Sequence, residues 1–218
     1  MLEYGRNLRN LAGGYAALAG AVDAIGFLKS GGLFVSFMSG NSTLLAVGFA
    51  QAGAFAAAAT GLIALFVTGV ILNVIVSEGA PSGHRKVVAT ISVALLLLAA
   101  AVFDSFGQEV PAIGFLCLAM GAANAIFRRA GDVGIGVTYM TGTLVKFAHR
   151  LADAIRGQPD TQWLPFLQLW LALVAGGILG ARTFLWSPNG SLWCVAAAGS
   201  GLSALTWWIM KSTRRAEH

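Results

Sequence analysis

The chain has 218 residues, 57% of them hydrophobic and only 11% charged, with a mean hydropathy of +0.75 and a formal net charge of +5. Soluble domains carry roughly 25% charged residues, so this deficit excludes an ordinary soluble domain and indicates an integral membrane protein. The basic residues are scattered, with no aromatic-interleaved basic stripe. They exclude a nucleic-acid footprint and read as loop charge that orients the chain in a bilayer.

A spanning helix needs about 20 mostly apolar residues. Residues 11–29 supply the first, with Arg6 and Arg9 before it and one acid, Asp23, inside it. No small-residue cleavage site follows the polar start, so this span is expected to be retained and not removed as a signal peptide. Next come Ser30-Gly31-Gly32 and the stretch Phe34-Val35-Ser36-Phe37-Met38-Ser39-Gly40-Asn41, leading into a helical segment over 39–52. Asn41-Ser42-Thr43 matches a glycosylation sequon, which its place inside this segment discounts. Residues 54–76 form a second clean span, followed by a polar loop with Pro81, Arg85 and Lys86. Residues 87–106 form a third.

After the turn Gly107-Gln108-Glu109, a fourth span covers 111–127 and ends at Arg128-Arg129. The stretch Val137-Thr138-Tyr139-Met140-Thr141-Gly142-Thr143 then repeats the first motif as V-[ST]-aromatic-M-[ST]-G-[NT]. The helix predicted after it is amphipathic. Leu144, Phe147, Leu151 and Ile155 lie on one face, and Lys146, His149, Arg150 and Asp153 on the other. Residues 163–186, with Trp163 and Trp186 at the ends, and 191–210 complete the spans. Cys117 and Cys194 lie in apolar runs without metal spacing and read as packing thiols.

The similarity extends beyond the motif. Gly20-Ala21-Val22-Asp23-Ala24-Ile25 parallels Gly121-Ala122-Ala123-Asn124-Ala125-Ile126, and residues 64–71 parallel 172–179. The expectation is one membrane domain over 1–218, all-α, with repeat one over 11–106 and repeat two over 111–210. If the motif segments enter and return, the chain has about six transmembrane helices, three per half, and the halves are inverted. If they cross, it has eight spans and parallel halves. With the N-terminus inside, the six-span arrangement puts Arg85/Lys86, Arg128/Arg129 and the C-terminal basic residues inside and misplaces only Lys29. Both termini are then cytoplasmic. Eight spans would put Arg85/Lys86 and Arg128/Arg129 outside, so six are favoured.

Non-helical backbone at membrane depth must be buried in protein or line a wet cavity. Gly40 and Gly142 are expected to allow tight corners there, with Ser39/Thr141 or Asn41/Thr143 capping helix starts. Two half-helix N-termini would then converge near mid-membrane and present free N–H groups to a solute. The substrate-binding set on this reading is Ser36, Met38, Ser39, Gly40, Asn41, Thr138, Met140, Thr141, Gly142, Thr143 and Asn124. Asp23 is the proton-coupling candidate, because an ionisable residue inside a span is by default functional. Its counterpart Asn124 is polar but uncharged. Lys146 is an anion-contact candidate. The structural alternative makes the motifs packing corners, Asp23 a partner of the Ser/Thr cluster or of Lys29, and Lys146 a solvated charge. No HExxH, GxSxG or phosphate-binding loop occurs, and no His/Cys/acid cluster has metal spacing, so neither an enzyme nor a cofactor is expected.

The run Gly20-x-x-Asp23-Ala-Ile-Gly-Phe27, the Phe34–Asn41 motif and Thr138–Thr143 together resemble the YoaK-like family of small bacterial inner-membrane proteins, a domain of unknown function. The resemblance covers essentially the whole chain and implies about six spans in a bacterial inner membrane. Relatives often carry Thr at the position of Ser39. From the residues, the expected function is a small secondary transporter or permease for a small polar or anionic solute. The alternatives are a passive channel and a non-transporting scaffold. A homodimer is plausible for so short a transporter.

Overall fold

The computed structural model describes residues 5–51, 53, 55–129, 132–133, 135–159 and 161–216. Among these residues eight helices follow one another: α1 (Arg6–Ser30), α2 (Met38–Ala50), α3 (Phe55–Glu78), α4 (Arg85–Ser105), α5 (Glu109–Ala123), α6 (Met140–Ile155), α7 (Leu164–Trp186) and α8 (Pro188–Ala216). Between α5 and α6, β1 (Arg128–Arg129) and β2 (Asp132–Val133) form a two-residue antiparallel ladder. Among the described residues five helices are long and apolar enough to cross a membrane: α1, α3, α4, α7 and α8. Large apolar side chains such as Ile75, Leu179 and Trp208 point outward from them. Water would oppose such a surface, and lipid accepts it. The protein is an all-α, multi-pass membrane protein.

The fourth expected span is shorter than its apolar run. α5 has 15 residues, a rise of about 22 Å. Past Ala123 the ladder tightens: Asn124, Ala125 and Ile126 each donate their N–H to the carbonyl three residues back. This is a 3₁₀-like end, and it stays buried through Phe127. At the other extreme α8 begins at Pro188, since proline suits a first helical turn, and runs on to Ala216, beyond the expected 191–210 at both ends.

Helix directions follow from contacts along their lengths. α1 and α7 are parallel: Arg9 and Asn10 share a cavity with Leu164 and Gln168 at one end, and Lys29 lies over the Phe184 ring at the other. α3 and α5 are also parallel, joined by Cys117 Sγ donating to the Leu62 carbonyl and Asn73 Nδ2 donating to that of Ala122. α4 and α8 are antiparallel, since Thr90 meets Ser203 at one end and Trp193 Nε1 donates to Ser105 at the other. α1 and α5 are antiparallel too, with Tyr15 against Phe127 and Lys29 near Glu109. α1 therefore ends where α3 begins, and α5 ends where α7 begins. Each intervening motif segment returns to the end of the bundle it left.

Glycine sets how closely the parallel pairs approach. A Cβ on Gly20 would collide with the Leu173 carbonyl, and one on Gly176 with that of Ala17. Gly121 meets the Phe66 carbonyl in the same way, and Gly69 that of Leu118. Both interfaces thus bring backbone against backbone, as small residues permit in membranes. The contacts pair Gly20 with Gly121 and Gly69 with Gly176. The second match is one residue away from the 64–71/172–179 alignment. It also makes Asn73 the counterpart of Gly180, which lies against the Ala21 carbonyl.

Candidate functional site around Asp23

Both motif copies start their helix in the same way, and not by the expected glycine corner. Phe37 (φ −90°, ψ 75°) and Tyr139 (φ −83°, ψ 57°) sit in inverse γ-turn geometry. Met38 N donates to the Ser36 carbonyl at 3.2 Å, and Met140 N to that of Thr138 at 2.9 Å. Gly40 and Gly142 lie inside the first helical turn, and the positive-φ glycines among the described residues are Gly31, Gly32, Gly107 and Gly157. The γ-turn reverses the chain without a left-handed residue. Gly40 has a steric role instead: the Phe37 and Phe34 rings occupy the space of a Cβ. Gly142 has open space around it. Neither helix start has a side-chain cap. Ser42, Thr43 and Thr143 turn their hydroxyls back to carbonyls of their own helices.

The first loop is gripped from two sides. From α1, Asp23 Oδ1 accepts the Val35 and Ser36 N–H groups at 2.9 and 2.8 Å. From α2, Asn41 Oδ1 accepts the Phe34 N–H at 3.0 Å while its Nδ2 donates to the Phe34 carbonyl at 2.6 Å. Asn41 is fully buried, and Val35 seals the loop against Gly26. The second loop is held more lightly. Asn124 Oδ1 accepts from the Thr138 hydroxyl at 3.1 Å, and Asn124 Nδ2 donates to the Met120 carbonyl. Thr143, in the position of Asn41, makes no bond to its loop beyond the Tyr139 carbonyl at its helix start.

Asp23 also lines a cavity of about 370 Å³ between α1, α7 and the motif loop, walled by Gly20, Phe27, Phe34, Leu173 and Gly177. It is the ionisable group in that wall. Around the rest of the set, Ser36, Asn41, Asn124 and Thr143 are buried, and Met38 and Met140 pack onto the core. Ser39, Thr141, Gly142 and Lys146 are exposed. Among the described residues α2 packs on α3 and α6 on α7, and α2 and α6 do not touch. The two helix starts are therefore not in direct contact within a chain.

A family model described as "Protein of unknown function (DUF1275)" matches residues 11–205. The chain belongs to the DUF1275 family. A UPF0700 transmembrane protein of Rhizobium meliloti (strain 1021) is 34% identical over 169 residues, covering 75% of this chain and 70% of the relative. No solved structure matches. The matched range takes in Asp23 and both motif copies, the residues that carried the resemblance to an uncharacterised bacterial membrane family. In this DUF1275 chain, sequence reasoning missed one polar centre. Lys29, the single misplaced cation of the six-span arrangement, forms a 2.8 Å ion pair with Asp104 and lies 3.9 Å from Glu109. The Lys29 and Asp104 side chains are 6% and 4% exposed. Its signal was available: a lone cation at the end of the first span, and two acids, Asp104 and Glu109, flanking the Gly107 turn. Asp23 is thus free of Lys29 and is spent on the motif loop.

Proposed function

We propose that the protein is a small proton-coupled permease for a small polar or anionic solute, in which Asp23 couples its own protonation to the motif loop. The observation that carries this reading is the carboxylate placed between the cavity and the backbone of residues 35–36. As a carboxylate, Asp23 makes charge-assisted bonds to two N–H groups, each worth about 1.5–3 kcal/mol against 0.5–1.5 for a neutral pair. A proton on Asp23 weakens both bonds and frees the loop that starts α2. Asn124 at the corresponding place cannot carry a proton, so the charge chemistry belongs to one half.

The framework proposed for this cycle is two inverted halves with six crossings. The antiparallel α4/α8 pair and the matching glycine contacts favour it, because an axis along the membrane normal would leave equivalent helices parallel. Arg9, Arg85, Lys86 and Arg128 gather at one end of the bundle, which favours cytoplasmic termini in a bacterial inner membrane.

Proteoliposomes holding a pH-sensitive dye, challenged with a panel of small polar and anionic solutes, test the function. Solute-dependent proton movement is expected with the wild-type chain and its loss with Asp23→Asn. Solute flux unchanged in Asp23→Asn would make the protein a passive channel. One observation favours a second reading, a non-transporting scaffold without a joint site: α2 and α6 make no contact with each other among the described residues. Absence of flux for every solute supports that reading. A homodimer that brings motif helices of two chains together would restore such a site, and the mass of the purified protein in detergent tests it.

A further inference from the structure

A second cavity, of about 610 Å³, opens between the first turns of α1 and α7. Arg9, Asn10 and Gln168 form its polar rim, and Gly13, Leu164 and Leu169 its apolar side. The guanidinium of Arg9 and the amides of Asn10 and Gln168 make no hydrogen bond or ion pair among the described residues. This end of the bundle also carries Arg85, Lys86 and Arg128, with Lys146 and Arg150 exposed on neighbouring α6. An uncommitted arginine beside two uncommitted amides is suited to phosphate oxygens, which guanidinium binds in bidentate fashion. On α1 the apolar wall lies one turn inward of the rim, at Gly13, and on α7 it reaches Leu169.

We infer that the α1/α7 cavity is a binding site for an anionic phospholipid. Arg9 takes the headgroup phosphate, and the trough floored by Gly13 and Leu169 takes the start of an acyl chain. Basic pockets between helices at the cytoplasmic leaflet are a recognised form of lipid site. The inference is independent of transport: it requires only this cavity and its rim.

The test is thermal unfolding of the full chain in detergent with added phosphatidylglycerol, phosphatidylcholine or inorganic phosphate. A ligand that binds the folded state raises the midpoint. Phosphatidylglycerol is expected to raise it and the other two to leave it unchanged. Arg9→Gln should abolish the shift. Gly13→Leu should do the same by filling the trough, and a Cβ at Gly13 meets no atom within 4 Å, so the variant has room to fold. Lys146→Gln, on the exposed face of α6, should keep the shift. An equal shift from phosphatidylcholine, an equal shift from inorganic phosphate, or a full phosphatidylglycerol shift in both Arg9→Gln and Gly13→Leu would each overturn the lipid site.

Discussion

At the scale of single residues, charge decides most. Lys29 and Asp104 are both almost fully enclosed, joining the end of α1 to the end of α4. Removing one partner of such a pair leaves the other charge buried, at a cost of about 3–5 kcal/mol. Lys29→Met is therefore expected to lower the unfolding midpoint in detergent sharply, and Lys29→Met with Asp104→Leu to recover most of the loss. A double variant as unstable as the single one would show that the apolar contacts of the lysine, and not its charge, hold this end together. The sequence displayed Lys29 as a violation of the charge rule but not its partner, because Asp104 lies 75 positions away and only packing joins them. Asp23 was legible as an ionisable group inside an apolar run. Its bonds to residues 35 and 36 were not, since backbone acceptance leaves no side-chain pattern to read.

Among elements, glycine has two different meanings here. Gly176 faces the Ala17 backbone, so Gly176→Leu should push α7 off α1 and yield little folded protein on size-exclusion chromatography. Gly142 is helical and has open space. Gly142→Ala is expected to raise stability by about 0.5–1 kcal/mol, through helix propensity alone. A large loss would mean that Gly142 touches a partner outside the single chain. The sequence presented both as glycines in apolar text and gave the motif glycines the greater weight. Helix existence was legible from run length, since lipid leaves the backbone few choices. The short α5 was not, because Ala-Ala-Asn-Ala-Ile reads as helix wherever local propensity alone decides, whereas here this stretch is buried and bonded three residues back.

For the whole molecule, the decisive question is which side each loop faces. Cys194 is exposed and needs replacement by Ser before labelling, while Cys117 is buried. In that background, Gly83→Cys and Ser187→Cys are expected to react with an impermeant thiol reagent from opposite sides of oriented vesicles. Labelling from one side only would require an odd number of changes to the proposed crossings. The two copies of the motif, each leading into a short helix, were legible in the matched text of the two halves. The separation of α2 from α6 was not, because sequence symmetry states which segments correspond and not how far apart they lie.

The ion pair at Lys29 also bears on how the protein is made. Lys29 is synthesised 75 residues before Asp104 and 80 before Glu109. On the proposed orientation it must reach the far side of the membrane while neither acid yet exists. Its ammonium then waits among headgroups, a station open to a lysine near a helix end, until the fourth and fifth helices arrive. The enclosed pair can thus close only after about half of the chain has been made.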